Sequence, residues 1–276
     1  MAIALALLVA LFAGVSDFLG GFSSRSMPAM AVSAAAHACG FVFTVAFALV
    51  IGGSPIWADL WWGTAAGVGS AVGLTAIYTG YARSTVAIVA PVAGVGSVCV
   101  PLLWAALDGD HLSSQGWAGV GLGVFAILLV SLSHGATQGS ALKAVGYGLI
   151  GAIGLGFLLL AFSRSSDGSG IWIVAPSRLS GLAVLLVMLR LTHRSFTIQR
   201  SVLPTVVLVA ALSSSANGAY AVATREGSLA TVAVVASMFP AITVLMAWVV
   251  LKERIRSIQL TGIVVAMLAV GLIAAS

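Results

Sequence analysis

Apolar runs of about 20 residues alternate along the chain with short polar connections. A helix rises about 1.5 Å per residue, so each run is long enough to cross a hydrocarbon layer about 30 Å thick. The connections carry turn residues and charges, as in GGSP at 52–55 and DGDH at 108–111. The pattern predicts ten transmembrane helices, at 2–22, 29–51, 60–81, 86–107, 115–133, 143–163, 170–190, 202–223, 229–251 and 258–275.

Composition supports this class. Of the 276 residues, 61% are hydrophobic and 7% are charged, and the mean hydropathy is +1.16. Soluble domains carry roughly 25% charged residues, so a soluble core is excluded. The net charge of +5 comes from Lys and Arg residues scattered between apolar runs, which indicates loop charges rather than a nucleic-acid surface. We therefore predict an all-α integral membrane protein without nucleic-acid partners.

Metal and cofactor sites are not expected. Cys39 and Cys99 both fall inside predicted spans, where cysteine is usually a small buried hydrophobe. Neither a C-x-x-C nor an H-E-x-x-H motif occurs. The sequence gives no reason to expect a disulfide, a metal or a cofactor.

Basic residues divide unevenly between the two sides of the predicted bundle. One side holds only Arg164 and Arg225, and the other holds Arg25, Arg83, Lys143, Arg190, Arg194, Arg200, Lys252, Arg254 and Arg256. By the positive-inside rule, the crowded side is cytoplasmic and both chain ends lie outside.

The chain repeats itself at an offset of about 140 residues. HACG at 37–40 matches RLSG at 178–181, Tyr78 matches Tyr220, and 84–94 aligns with 227–237. Residues 1–140 and 141–276 therefore form two copies of five spans each. Because five is odd, the second copy enters the membrane inverted, a plan that is common among secondary transporters with a site near the midplane.

Several motifs resemble the EamA-type branch of the drug/metabolite transporter superfamily. They are densest in the second copy and looser in the first: SGIW at 169–172, PSR at 176–178, VVASMFPAITVLMAWVVLKERI at 234–255, QLTG at 259–262, SDFLGG at 16–21 and VAPVAG at 89–94. The resemblance implies ten helices, a cavity lined by helices 1–4 and 6–9, peripheral helices 5 and 10, and export of small metabolites, often amino acids.

The resemblance also exposes departures from the family pattern. His37 stands where the second copy has Arg178, and DGDH replaces the basic LKER ending in the first copy. The family habit places both termini inside, which conflicts with the charge count.

Asp17 is an ionisable residue within the first span. Such a residue costs about 2.5 to 3.5 kcal/mol at bilayer depth unless it faces water, a partner or the bundle interior. Ala10, Gly14, Asp17 and Gly21 share one helix face, which leaves room beside the carboxylate. Two interpretations remain open: a structural clamp that holds the first helix, or a group that binds protons or a cation.

His37 and Arg178 occupy matching places in the second and seventh spans. His37 is either a hydrogen-bonded core histidine or part of a site. Arg178 stays charged, so it needs an anion, carbonyl groups or water. That anion is either a structural partner such as Asp17 or a substrate carboxylate.

A polar stripe marks the eighth span, and part of it recurs in the third. Its residues are Ser213, Asn217, Tyr220 and Thr224 in the eighth span, with Thr75 and Tyr78 in the third. The stripes act either as interhelical glue or as the lining of a wet cavity that holds a zwitterion. Trp172 is either an interfacial anchor or a cap on that cavity.

Three prolines fall within predicted spans. Pro91, Pro101 and Pro240 each remove a backbone hydrogen bond and permit a kink, which favours bending helices.

We predict a secondary active transporter that exports amino acids or related metabolites by alternating access, with proton coupling left open. The candidate substrate-binding residues are Asp17, His37, Thr75, Tyr78, Trp172, Arg178, Asn217 and Tyr220. The alternatives are a membrane-embedded enzyme and a passive channel or facilitator. We expect a multi-pass protein of the plasma membrane (the inner membrane in a bacterium), a monomer or weak homodimer, whose partners are a small substrate and the lipid bilayer.

Overall fold

The computed structural model describes residues 1–107, 114–131, 138–193, 195–226, 232, 235–236, 238–252 and 257–274. Within these residues the helices with defined bounds are α1 (Ala2–Ser23), α2 (Ala29–Ile51), α3 (Trp57–Arg83), α4 (Val86–Leu107), α5 (Ser114–Ser131), α6 (Gln138–Ser163), α7 (Val174–Leu191), α8 (Leu203–Glu226), α9 (Phe239–Leu251) and α10 (Ser257–Ala274). The described chain contains no β-strand.

The protein is a multi-pass membrane protein. By length and composition, six helices of the described residues can cross a bilayer: α1, α2, α3, the Ala141–Ser163 part of α6, α7 and α8. Val86–Ser97, Phe239–Leu251 and Leu260–Ala269 are shorter apolar helices. The all-α membrane fold is confirmed, whereas ten membrane-spanning helices in two inverted copies stay a prediction.

Most helix bounds agree with the prediction to within a few residues, and the differences have local causes. α7 begins at Val174 rather than at 170, because the chain before it forms a short 3₁₀ turn at Asp167–Ser169 and Gly170 has a φ of +59°. Pro240 lies in the first turn of α9, where the missing N–H would be unpaired in any case. Pro240 therefore removes no hydrogen bond of α9, while Pro91 lies inside α4.

Helix packing follows a regular scheme. α3 packs on α6 and α7, α1 on α8 and α9, α4 on α6, and α2 on α7 and α8. If each helix of one half corresponds to the helix five places away in the other half, the α3–α6 contact corresponds to α8–α1 and the α3–α7 contact to α8–α2. Both of these corresponding contacts are present. α5 and α10 pack on each other.

Glycines allow the closest of these helix contacts. An added Cβ at Gly154 of α6 would overlap the backbone of Gly73 on α3, and one at Gly69 would lie 3.0 Å from the Gly154 carbonyl oxygen. Helices in lipid associate through such close packing, since lipid tails are as apolar as leucine. The glycine-rich faces thus hold α3 against α6.

A group of polar contacts, which we call the polar seam (Asp59, Ser166, Gly170 and Arg225), joins the two halves at one end of the bundle. Asp59 is 1% exposed and accepts hydrogen bonds from the Ser166 backbone N–H at 3.1 Å and its hydroxyl at 2.9 Å. Arg225 donates to the Ser166 and Gly170 carbonyls at 3.3 and 2.8 Å. The seam ties the start of α3 to the α6–α7 connection and the end of α8.

Candidate functional site

A cavity lies at the centre of the bundle between α1, α3, α4, α6, α7, α8 and α9. The volume that the centres of water molecules can occupy in it is about 140 Å³. A single water molecule needs about 10 to 15 Å³ of such volume. The cavity is therefore large enough for a small metabolite. α5 and α10 contribute none of its described lining.

Five of the eight candidate residues line this cavity: Asp17, Tyr78, Arg178, Asn217 and Tyr220. They come from four helices in both halves of the chain. Asp17 is 7% exposed and Arg178 is 3% exposed, so both ionisable groups are shielded from the surroundings of the bundle. The cavity wall thus includes both an acidic and a basic side chain.

The other three candidates lie outside the lining. His37 is 1% exposed and lies behind the cavity wall. Thr75 is buried, and its hydroxyl has no hydrogen-bond partner within the described chain. The Trp172 indole N–H donates to the Gly53 carbonyl at 3.2 Å, next to the polar seam, so Trp172 fastens the α6–α7 connection to the α2–α3 connection instead of covering the cavity.

Arg178 is held on one side and unsatisfied on the other. Its Nη2 donates to the Ser213 hydroxyl of α8 at 3.0 Å, while its Nε has no partner in the described part of the chain. A buried donor without an acceptor carries a cost of about 1 to 3 kcal/mol. The Nε packs against Gly40 of α2, whereas Arg178 as a whole lines the cavity, so a bound anion is a suitable partner for its guanidinium.

His37 and Arg178 meet in a reciprocal contact that we call the α2–α7 crossing (His37, Gly40, Arg178 and Gly181). The His37 ring lies so close to Gly181 that an added Cβ there would collide with it. In turn, an added Cβ on Gly40 would lie 3.2 Å from Cδ and Nε of Arg178. His37 of the first half therefore packs on Gly181 of the second half, and Arg178 of the second half packs on Gly40 of the first.

The crossing extends to a serine on each side. His37 Nε2 lies 3.1 Å from the Ser70 hydroxyl of α3, and its Nδ1 lies 2.9 Å from the Ser33 carbonyl oxygen. Ser70 and Ser213 are 143 residues apart, which is the repeat offset, and both line the cavity. The same framework thus carries a histidine in the first half and an arginine in the second.

Residues that the sequence reading missed complete the lining. They are mainly serine hydroxyls and one apolar wall from α6: Ser16, Ser70, Ser97, Ser163, Ser177, Leu155, Leu158, Leu159 and Phe162. Only Ser70 had a usable signal, because the repeat offset maps it onto Ser213 of the polar stripe. Among the described residues, no three His, Cys, Asp or Glu side chains are placed to hold a metal ion.

The second half of the sequence matches a known family. Residues 142–275 fit the family described as the EamA-like transporter family. This half is similar to that family. The resemblance seen in the motifs is thereby confirmed for the second half, and the members of this family are membrane transporters.

Comparison with solved structures shows a likeness of fold over nearly the whole chain. One chain, described as "Crystal structure of protein", has a TM-score of 0.67 and 16% sequence identity, with 97% of this chain and 95% of that chain covered. At this identity the likeness concerns the fold alone. No curated protein matches the sequence.

Proposed function

We propose that this protein is a secondary active transporter that exports small metabolites, amino acids or related zwitterions, and that it couples export to protons. The observation that carries the proposal is the central cavity in which Asp17 and Arg178 are both buried and both line the wall. An ionisable residue at bilayer depth is costly, and an acidic and a basic residue that line one cavity suit a molecule that carries both charges.

Arg178 binds the substrate carboxylate in this proposal. Its Ser213 contact fixes the guanidinium, and Arg178 belongs to the cavity lining, where a guanidinium offers donors to an incoming oxygen. Asn217 lies on the same cavity wall one turn from Ser213 and adds an amide donor. Guanidinium and carboxylate groups form paired, directional hydrogen bonds.

Asp17 is the proton-coupling group. It lines the cavity beside Ser16 and near Tyr78, and α1 packs on α3 through Gly20 and Gly21, which lie against Tyr78 and Tyr81. Small residues next to the carboxylate let α1 pack closely against α3. Protonation of Asp17 on one side of the membrane and its release on the other would drive export.

Alternating access follows if the two halves are inverted copies. The helix contacts that are preserved under a five-helix shift and the reciprocal α2–α7 crossing support this arrangement. Two copies that exchange conformations open the cavity to one side and then to the other. We place the protein in the plasma membrane, the inner membrane in a bacterium, as a monomer or weak homodimer.

Reconstituted vesicles test this proposal. Wild-type protein is expected to accumulate radiolabelled amino acids against a concentration gradient when a pH gradient is imposed, whereas a passive facilitator would only equilibrate them. The Asp17→Asn variant is expected to lose this accumulation but to keep exchange of labelled for unlabelled substrate. Gly121→Ala on α5, where an added methyl group meets nothing within 4 Å, serves as the matched control.

Two results would count against the proposal. Accumulation driven by the pH gradient in Asp17→Asn at the wild-type rate would remove Asp17 from coupling. Equilibration without accumulation by the wild-type protein would replace the active transporter with a facilitator.

A further inference from the structure

The two serines of the crossing differ in what they offer to the cavity. Ser70 lies beside His37, and Ser213 lies beside Arg178. Because their partners differ, the two hydroxyl groups donate their single hydrogen to different acceptors. The proton positions follow from the acceptors that surround each group.

His37 fixes the proton of Ser70. The Ser33 carbonyl 2.9 Å from Nδ1 can only accept, so Nδ1 carries a hydrogen. The ring is neutral, because a buried imidazolium beside the Arg178 guanidinium would be strongly unfavourable. Nε2 is then an acceptor, and the Ser70 hydroxyl is its partner in the described residues.

Ser70 has a second acceptor within reach, the Gly67 carbonyl at 3.1 Å. That carbonyl is inside α3 and already accepts a backbone N–H, whereas Nε2 would be left buried and unpaired. Donation to His37 therefore satisfies more groups. In this arrangement Ser70, which lines the cavity, keeps its oxygen lone pairs as acceptors and has no proton left to offer.

Ser213 presents the opposite polarity. It receives a hydrogen bond from Arg178 Nη2 at 3.0 Å and donates its own proton to the Ala210 carbonyl at 3.3 Å. What faces the cavity at this position is the guanidinium, a group of donors. Equivalent positions of the two halves thus offer an acceptor in the first half and cationic donors in the second.

We propose that Ser70, oriented by His37, is a specificity-determining residue that accepts a hydrogen bond from the substrate ammonium group while Arg178 holds the carboxylate. The substrate class is then a small α-amino acid, because its two charged groups are attached to one carbon and fit across a single helix crossing. The apolar wall of α6, with Leu155, Leu158 and Phe162, accommodates a branched aliphatic side chain. This inference rests on the proposed function.

Direct binding to purified full-length protein tests the assignment with three related probes. They are leucine, 3-methylbutylamine, which lacks the carboxylate, and 4-methylpentanoate, which lacks the ammonium group. A hydrogen bond to a charged group contributes about 1.5 to 3 kcal/mol, so Ser70→Ala is expected to weaken leucine and 3-methylbutylamine by about tenfold or more. Binding of 4-methylpentanoate should stay within about twofold of wild type.

Ser213→Ala is the matched control at the equivalent position. It is expected to weaken leucine and 4-methylpentanoate by about threefold to tenfold, because Arg178 loses its anchor, and to leave 3-methylbutylamine unchanged. Ser70→Cys, which keeps the side-chain size but is a weak acceptor, should reproduce the Ser70→Ala pattern and replaces that variant if it does not fold.

His37→Phe separates positioning from a purely structural role. The ring shape is kept and the acceptor is removed, so the Ser70 hydroxyl becomes free to turn towards a carboxylate. His37→Phe should therefore lower the affinity for 3-methylbutylamine relative to 4-methylpentanoate when Ser70 is present. In a Ser70→Ala background, the same substitution should leave the ratio of the two affinities unchanged.

The outcomes distinguish the inference from the proposed function. If wild-type protein binds leucine but Ser70→Ala and Ser213→Ala weaken all three probes alike, or His37→Phe has the same effect with and without Ser70, the inference is overturned alone. If wild-type protein binds none of the three probes, the proposed amino acid substrate is wrong and the inference falls with it.

Discussion

Gly181→Ala is the sharpest stability test of the α2–α7 crossing. An added Cβ would collide with the His37 ring and would lie 3.1 Å from the Gly67 carbonyl oxygen. His37 is 1% exposed and is held by Ser33 and Ser70, so the ring has no open space to enter. The substitution therefore forces His37 out of its hydrogen bonds.

The expected cost combines three contributions. Overpacking a filled core costs about 1 to 3 kcal/mol, loss of the His37–Ser70 hydrogen bond adds about 1 kcal/mol, and the helix preference of Ala over Gly offsets about 1 kcal/mol. For a chain of this size each kcal/mol shifts the melting temperature by roughly 2 to 4 °C, so the apparent midpoint should fall by about 2 to 12 °C. The measurement is thermal unfolding of purified protein in one detergent at a fixed heating rate.

Gly40→Ala is the matched control on the other side of the crossing. There an added Cβ would lie 3.0 Å from the Ser214 hydroxyl and 3.2 Å from Arg178 Cδ, and a shift of a few tenths of an ångström relieves both. Ala also favours a helix over Gly by about 1 kcal/mol, so this variant should be close to wild type.

A double substitution identifies the clash itself. His37→Ala removes the ring, so Gly181→Ala should cost much less in that background than in the wild type, with an interaction of at least about 1 kcal/mol between the two sites. The reasoning is refuted if Gly181→Ala is as stable as Gly40→Ala, or if removal of the His37 ring brings no relief.

Three further substitutions test other contacts. Arg178→Lys should weaken binding of a zwitterionic substrate by about tenfold, because an ammonium cannot form the planar paired contact; unchanged affinity in a binding titration would exclude a bidentate role. Asp59→Ala strands the Ser166 donors and should lower unfolding stability by about 2 to 3 kcal/mol, whereas an unchanged midpoint would show that the polar seam is weak. Thr243→Val removes a 3.0 Å bond to the Gly14 carbonyl and should cost about 0.6 kcal/mol; a loss above 2 kcal/mol would contradict this.

The helices were largely predictable, because a membrane helix is determined by the length of its apolar run. α2 and α4 have the bounds that the sequence predicted. The beginning of α7 was not predictable from hydropathy, since the residues before it are also apolar, and Gly170 with its positive φ ends that run.

The site was predictable where charge marked it. Asp17 and Arg178 were identified because charged groups in lipid are costly, and both line the cavity. The position of His37 behind the cavity wall depends on how α2 is rotated about its own axis relative to α7. The sequence alone does not determine this rotation. Leu158 and its neighbours were missed because apolar residues that line a cavity do not differ in sequence from those that face lipid.

The polar seam has a mechanical consequence. Asp59 and Ser166 are 107 positions apart in the chain, so their contact closes a large loop of polypeptide at that end of the bundle. Ser166 gives its amide and its hydroxyl to one carboxylate, while its carbonyl is held by Arg225. To separate α3 from the α6–α7 connection, several hydrogen bonds to Ser166 have to break at once. The two halves should therefore come apart at this end of the bundle in one cooperative step rather than gradually.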